Sequence, residues 1–336
     1  MSVVRPSPVV ALEFVRLPLR ELGDRPGLLG ARVLGAAGGA ESALHATLLA
    51  PSEPIADAWF TPDEAVNGQR GCIRYATDGQ WLHGSAEIDE LSEGGLQAGA
   101  ARAYHELFAL LLEQRCPHLL RLWNYMADIN AAQGGLERYR QFNIGRQQAF
   151  ISARRSAFEG APAACAVGTQ RGPLQVWFLA GPAAPLAIEN PRQVSAYRYP
   201  PEYGPRSPTF SRAALARLDG RAPALFISGT ASIVGHASVH AGNVRRQTEE
   251  CLANIAAVLD AAATLAGTRF AAAELIYTIY LRHRDDLAAV LEVFERQLGR
   301  DSPAARSLVV MLADICRAEL LVEIEAQGGG ATARAA

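Results

Sequence analysis

Residues 313–327, ADICRAELLVEIEAQ, decide how this chain is to be read. Side chains alternate across a strand, so a strand here places Leu320, Val322 and Ile324 on one side and Leu321, Glu323 and Glu325 on the other. The strand is apolar enough for a core, yet it gives two positions on one face to acids. Ionised carboxylates are rarely buried without a partner. That face therefore lines either water or a site that needs an acid.

Working outward, residues 307–312 form a companion strand, and residues 285–298 put Leu287, Val290, Leu291, Phe294 and Leu298 on one helical face behind an acidic start. Residues 274–281, ELIYTIYL, are β-branched and aromatic, as strands are. Before them, Leu252, Ile255 and Leu259 recur at helical spacing, and residues 224–233, ALFISGTASI, read as a strand broken by a glycine. The order is β-α-β-α-β-β. The N-terminal half repeats it: WLHGSAEI at 81–88, a helix through Tyr104, Leu107, Phe108 and Leu111, LLRLWNYM at 119–126, a helix at 136–150, and two strands within 164–180. An α+β protein is predicted, with two such units in one chain and helices on one face of each sheet. The expected division is 1–190 for the first half with an extra N-terminal segment, 191–219 for a loop, 220–327 for the second half and 328–336 for a disordered tail. Residues before about Trp59 are expected to add strands to the first half.

Between the halves, residues 195–212, SAYRYPPEYGPRSPTFSR, hold four prolines, three tyrosines and three arginines. Flexible linkers lack such aromatics, and long ordered loops that keep them often bind ligands. The 336 residues are 49% hydrophobic, enough for a sizeable core, and the formal net charge of −2 offers no basic field for nucleic acid or acidic membranes. No apolar run approaches the roughly 20 residues needed to span a bilayer. Five scattered cysteines without metal-ligand spacing point to a reducing compartment, with cytoplasm as the default. His236 and His240 lack a third ligand, and the GAAGGA run at 35–40 lacks a dinucleotide fingerprint, so neither a metal nor a cofactor is expected.

The VEIEA strand resembles the RidA/YjgF superfamily, whose chorismate-mutase-like units place an acid between neighbours. The longer constellation is more specific: LWNYMADIN, ERYRQFNIGRQQAF, SAYRYPPEYGPRSPTFSRA, FISGTASIVGHAS and the Cys316/Glu323 strand, in this order. Over residues 59–327 it is similar to the chorismatase family, and Gly229 with Cys316 match the pairing of its 3-hydroxybenzoate synthase type. The resemblance implies a lyase that converts chorismate to 3-hydroxybenzoate, with 4-hydroxybenzoate in some members, plus pyruvate. It further implies that Glu323 is the catalytic acid, that Cys316 assists, and that Arg146, Tyr203, Arg212, Gly229 and Tyr197 surround the substrate. Two units in one chain could build the pocket internally, so a monomer or a small homo-oligomer is expected.

The chemistry suits these residue types. Chorismate carries two carboxylates, which arginine forks hold with paired hydrogen bonds. Loss of pyruvate needs protonation of an enol ether, hence a carboxyl kept neutral near pH 7, and burial beside a second acid such as Glu325 raises a carboxyl pKa. Without the resemblance, Arg146 reads first as part of a solvated helix face and Cys316 as a core filler, while Glu323 reads as readily as an exposed edge acid. The rival functions are a hydrolase-type chorismatase giving a non-aromatic diene, a RidA-like imine deaminase, and a binding module without turnover.

Overall fold

The computed structural model describes residues 11–35, 43–218, 223–267 and 269–329. Near the N-terminus lie β1 (Glu13–Pro18), β2 (Leu28–Leu34), β3 (Thr47–Ala50) and β4 (Ile55–Phe60). The first half continues with β5 (Val66–Arg70), β6 (Ile73–Thr77), β7 (Leu82–Ile88), α1 (Leu96–Glu113), β8 (His118–Ala127), the short arms β9 (Ala132–Gln133) and β10 (Leu136–Glu137), α2 (Arg138–Ser152), β11 (Ala163–Thr169) and β12 (Leu174–Gly181). Then come β13 (Leu186–Ile188), β14 (Ala213–Arg217), β15 (Pro223–Ala231), the hairpin arms β16 (Ile233–Val234) and β17 (Ala237–Ser238), and α3 (Val244–Ala266). The chain closes with β18 (Ile276–Leu281), α4 (Leu287–Leu298), α5 (Pro303–Arg306), β19 (Val309–Leu312) and β20 (Val322–Gly329).

The duplication is visible in the strand order. One sheet runs β11-β8-β12-β7-β6-β5, and the other runs β13-β14-β15-β20-β18-β19-β3. Within them, β11-β8-β12-β7 and β19-β18-β20-β15 are the same four strands of each unit in the same order, with the pairs β11–β8 and β18–β19 both parallel. Helices α1 and α2 share one core with the first sheet, and α3 and α4 share another with the second. A third core, with Trp123, Tyr125 and Trp177 from one sheet and Phe226, Tyr280 and Met311 from the other, fills the space between the sheets. Two sheets thus pack face to face with helices outside.

Alternation along β20 decides what reaches that interface. Val322, Ile324 and Ala326 enter the helix-side core, so Glu323 and Glu325 must point between the sheets. Leu320 and Leu321 precede the strand and follow neither prediction: Leu320 joins the inter-sheet core, and Leu321 packs on the helix side.

The predicted boundaries need correction. β1, β4 and β2 make a three-stranded sheet of their own, and β3 pairs with β19, so none of these strands extends the first half's sheet and β3 alone extends the second's. An open sheet edge is a liability, and β3 covers the one that β19 would otherwise present. β13 pairs with β14, so the first unit ends with β12 and the chain from Leu186 belongs to the second sheet, not to a first half reaching 190. The strand β14 also occupies the end of what was read as a loop through 219. Gly328 and Gly329, expected in the tail, pair in β20 with Leu225 and Ala224, and 330–336 lie outside the described residues, as do 36–40 of the glycine-rich run.

Candidate active site

A cavity of about 300 Å³ opens between the halves, lined by α2, β11, β15, the 195–212 loop and residues 316–319, with Glu323 among its walls. Glu323 is 4% exposed. Opposite β20, β15 carries a bulge between Ile227 and Thr230, and Gly229 lies in it. A Cβ at Gly229 would stand 1.9 Å from Glu323 Oε1 and 3.1 Å from Cys165 Cβ, so only glycine leaves the carboxyl where it is. Burial pushes the Glu323 carboxyl up to about 8, helped by the charge of Glu325 and opposed by Arg121 and Arg212. At neutral pH this acid holds its proton.

Glu325, two residues on, is its opposite. Burial alone would raise it, but Arg32 and Arg121 overcome that and hold it below the ordinary carboxylate range. Arg32 Nη2 donates to Oε1 at 3.0 Å, Arg121 Nη2 to Oε2 at 2.5 Å, and the Tyr280 hydroxyl to Oε1 at 3.2 Å. These contacts end a row of alternating charges. In the N-terminal sheet, Arg16 and Arg32 sit across from Asp57 in adjacent strands, and Arg16 grips Asp57 through Nε at 2.6 Å and Nη2 at 2.9 Å. Arg32 Nη2 also donates to Asp57 at 2.9 Å. The row Arg16, Asp57, Arg32, Glu325, Arg121 thus ties three sheets together, and every member is buried. Breaking one buried partner out of such a row costs about 3–5 kcal/mol, because the other charge is stranded.

The cations at the cavity are held differently. Arg146 on α2 is 2% exposed, with its guanidinium 5.2, 5.9 and 5.6 Å from the rings of Tyr104, Phe142 and Phe150. Its Nε and Nη2 have no hydrogen-bond partner among the described residues. Those two N–H groups form one edge of the guanidinium, the edge that binds a carboxylate in a fork. Arg212 Nη2 donates to Val194 O at 2.9 Å and to the Tyr199 hydroxyl at 2.8 Å, which leaves Nε without a partner.

Cys316 and its neighbours are carried on a loop organised by Arg282, which pairs with Asp314 at 2.5 Å and donates to the carbonyls of Ile315, Arg317 and Leu320. Burial, followed by the proximity of Glu323, pushes the Cys316 thiol up to about 12. It is a neutral S–H at physiological pH.

Residues 57–180 match the family model described as "Chorismatase FkbO/Hyg5-like, N-terminal". The chain is 36% identical over 293 residues to a 3-hydroxybenzoate synthase of Streptomyces hygroscopicus, with 84% of each covered. It is 37% identical over 294 residues to a chorismatase of Streptomyces rapamycinicus, covering 84% of this chain and 85% of that one. The chain belongs to the chorismatase family. A chorismatase crystal structure superposes with a TM-score of 0.84 at 30% identity over 95% of this chain and 98% of that one.

In this chorismatase-family chain, six of the seven site residues read from the sequence line the one cavity: Glu323, Cys316, Arg146, Tyr203, Arg212 and Gly229. Tyr197 does not. It sits in a 3-10 turn with Arg198 against its ring, and Tyr199, two residues on, lines the cavity instead. Arg138, on the same helix as Arg146, is buried and ion-paired with Glu90 at 2.6 Å. His236 and His240 lie in a hairpin and its exit, where His236 Nδ1 meets the Tyr203 hydroxyl at 3.2 Å and His240 approaches Glu250 at 3.5 Å. Among the described residues no cluster of His, Cys, Asp or Glu could hold a metal, and no helix is long and apolar enough to cross a membrane. The sequence reading missed Arg32, Arg121, Cys165 and Arg317. Arginines inside apolar strands, as in HLLRLWNYMA, were the available signal for the first two.

Proposed function

We propose that the chain is a lyase that converts chorismate to 3-hydroxybenzoate and pyruvate, with 4-hydroxybenzoate as a minor product. The observation that carries this reading is the neutral Glu323 carboxyl at the wall of a cavity lined also by Arg146, whose Nε and Nη2 are unpartnered, and Arg212, whose Nε is. Arg146 and Arg212 take the two carboxylates of chorismate, and Tyr203 adds a ring wall. Glu323 then gives its proton to the methylene carbon of the enolpyruvyl group, which becomes an oxocarbenium.

The C–O bond between ring and side chain breaks, and its electron pair forms the carbonyl of pyruvate. The 4-hydroxyl oxygen attacks the ring carbon that pyruvate leaves and gives its proton back to Glu323. The resulting arene oxide opens, loses a ring proton and becomes 3-hydroxybenzoate. Atoms balance without water, metal or cofactor. Gly229 leaves room beside the acid, and Cys316 supplies a small wall with a weak S–H donor.

Chromatography of the products after incubation with chorismate tests this. Equal amounts of pyruvate and hydroxybenzoate are expected. A non-aromatic dihydroxy diene as the main product would make the chain a hydrolase-type enzyme, and binding without turnover would reduce it to a binding module.

A further inference from the structure

Four arginines line the cavity, and Arg140 is occupied by Glu137 at 3.1 Å. The other three, Arg146, Arg212 and Arg317, have no carboxylate within ion-pairing distance among the described residues, and each keeps at least one buried N–H without a partner. Two guanidiniums suffice for a dianion, so the third asks for an explanation.

Arg317 is held more rigidly than a surface arginine would be. Nη1 donates to His236 O at 2.9 Å and to Ser238 Oγ at 3.0 Å, and the guanidinium carbon stands 3.9 Å from the Tyr203 ring centroid and 5.2 Å from that of Tyr199. Tyr199 is in turn hydrogen-bonded to Arg212 and packed on Tyr203 at 5.5 Å. Hydrogen bonds on one nitrogen and rings against the face fix the plane of the group. Nη2 is shut from solvent and without a partner. A desolvated cationic donor left in this state is costly unless an anion meets it.

We propose that Arg317 is a third anion-binding residue, whose Nη2 takes the substrate carboxylate nearest the 195–212 loop while its stack on Tyr203 holds that loop over the bound molecule. This rests on the chorismate reading above. It also fits the reaction: one dianion becomes two monoanions, and with three guanidiniums neither product loses its counter-charge as the ring–oxygen bond breaks.

The test is calorimetric titration of chorismate into Glu323→Gln protein, where protonation is blocked, with Arg317→Met, Arg317→Lys, Tyr203→Leu and the Arg317→Met/Tyr203→Leu pair added to that background. Arg317→Met is expected to weaken binding roughly 10- to 100-fold, the range for a charge-assisted hydrogen bond, and Arg317→Lys to recover part of it. The loss should persist at roughly 10-fold or more when Tyr203 is already leucine, because the anion contact does not run through the loop. A loss under about threefold, or one that vanishes in the Tyr203→Leu background, overturns the proposal. Failure of the parent Glu323→Gln protein to bind chorismate at all would instead overturn the functional reading beneath it.

Discussion

Replacing Glu325 with glutamine should move the alkaline limb of the pH–rate profile without touching any group that meets the substrate. Glu323 and Glu325 are two apart on one face of β20, so their backbones are separated by about 6.6 Å, twice the strand rise. At an effective dielectric constant of about 20, two unit charges at that distance repel by about 2.5 kcal/mol, close to two pH units. Removing the Glu325 charge therefore makes Glu323 easier to ionise, and Arg121, freed of its partner, pulls the same way. Activity needs the protonated acid, so kcat/KM should be flat at low pH and fall above about 8 in the parent enzyme. In Glu325→Gln the fall should begin roughly two units lower, near pH 6, with the acidic plateau retained. The assay is pyruvate release from chorismate across pH, with circular dichroism at each point, because stranding Arg32 and Arg121 costs about 3–5 kcal/mol of stability. A folded Glu325→Gln protein whose limb stays within roughly half a unit of the parent would refute the electrostatic reasoning.

Other substitutions test separate parts of the site. Cys316→Ala should keep pyruvate release within about threefold while the aromatic share of the product falls, and an unchanged product ratio by chromatography would remove the thiol from the mechanism. Gly229→Ala brings a methyl to within 1.9 Å of Glu323 Oε1, so the acid must swing aside and product partitioning should shift away from hydroxybenzoate in the same chromatogram. Arg146→Lys keeps the charge but loses the fork, and steady-state kinetics should show KM for chorismate rising roughly 10- to 100-fold. Folded Glu323 keeps a proton that the unfolded chain releases near 4.5, so its contribution to stability declines as pH rises from about 4.5 to about 8 and is flat beyond. Thermal unfolding of Glu323→Gln should lack that decline, which parallel melts of the two proteins would reveal.

The duplicated units were legible because their strands and helices carry strong apolar periods, and the VEIE segment fixed which face held the acids. What escaped has physical reasons. The charge row joins Arg16, Arg32, Asp57, Arg121 and Glu325, which lie far apart in the chain, and a lone charge in a strand looks solvated until a partner is brought to it. Helix α2 buries Arg138, Asn143, Arg146 and Gln147 along with Phe142 and Phe150, so reading its face from hydrophobicity alone misplaces the arginines. In the 195–212 loop nothing periodic ranks three tyrosines, and the turn at Ala196–Arg198 is what sends Tyr199 to the cavity instead of Tyr197. β3 crosses to the second sheet because β19 offers an edge, a property of the assembled fold and not of residues 47–50.

The protonation state of one side chain, Glu323, decides whether this chemistry can run. A carboxyl-carbon NMR titration of glutamate-labelled protein, differenced against Glu323→Gln, reads it directly. A single resonance that is lost in the variant and titrates with a midpoint near 8 is expected. A Glu323 resonance already in its ionised position at pH 6 would contradict the account.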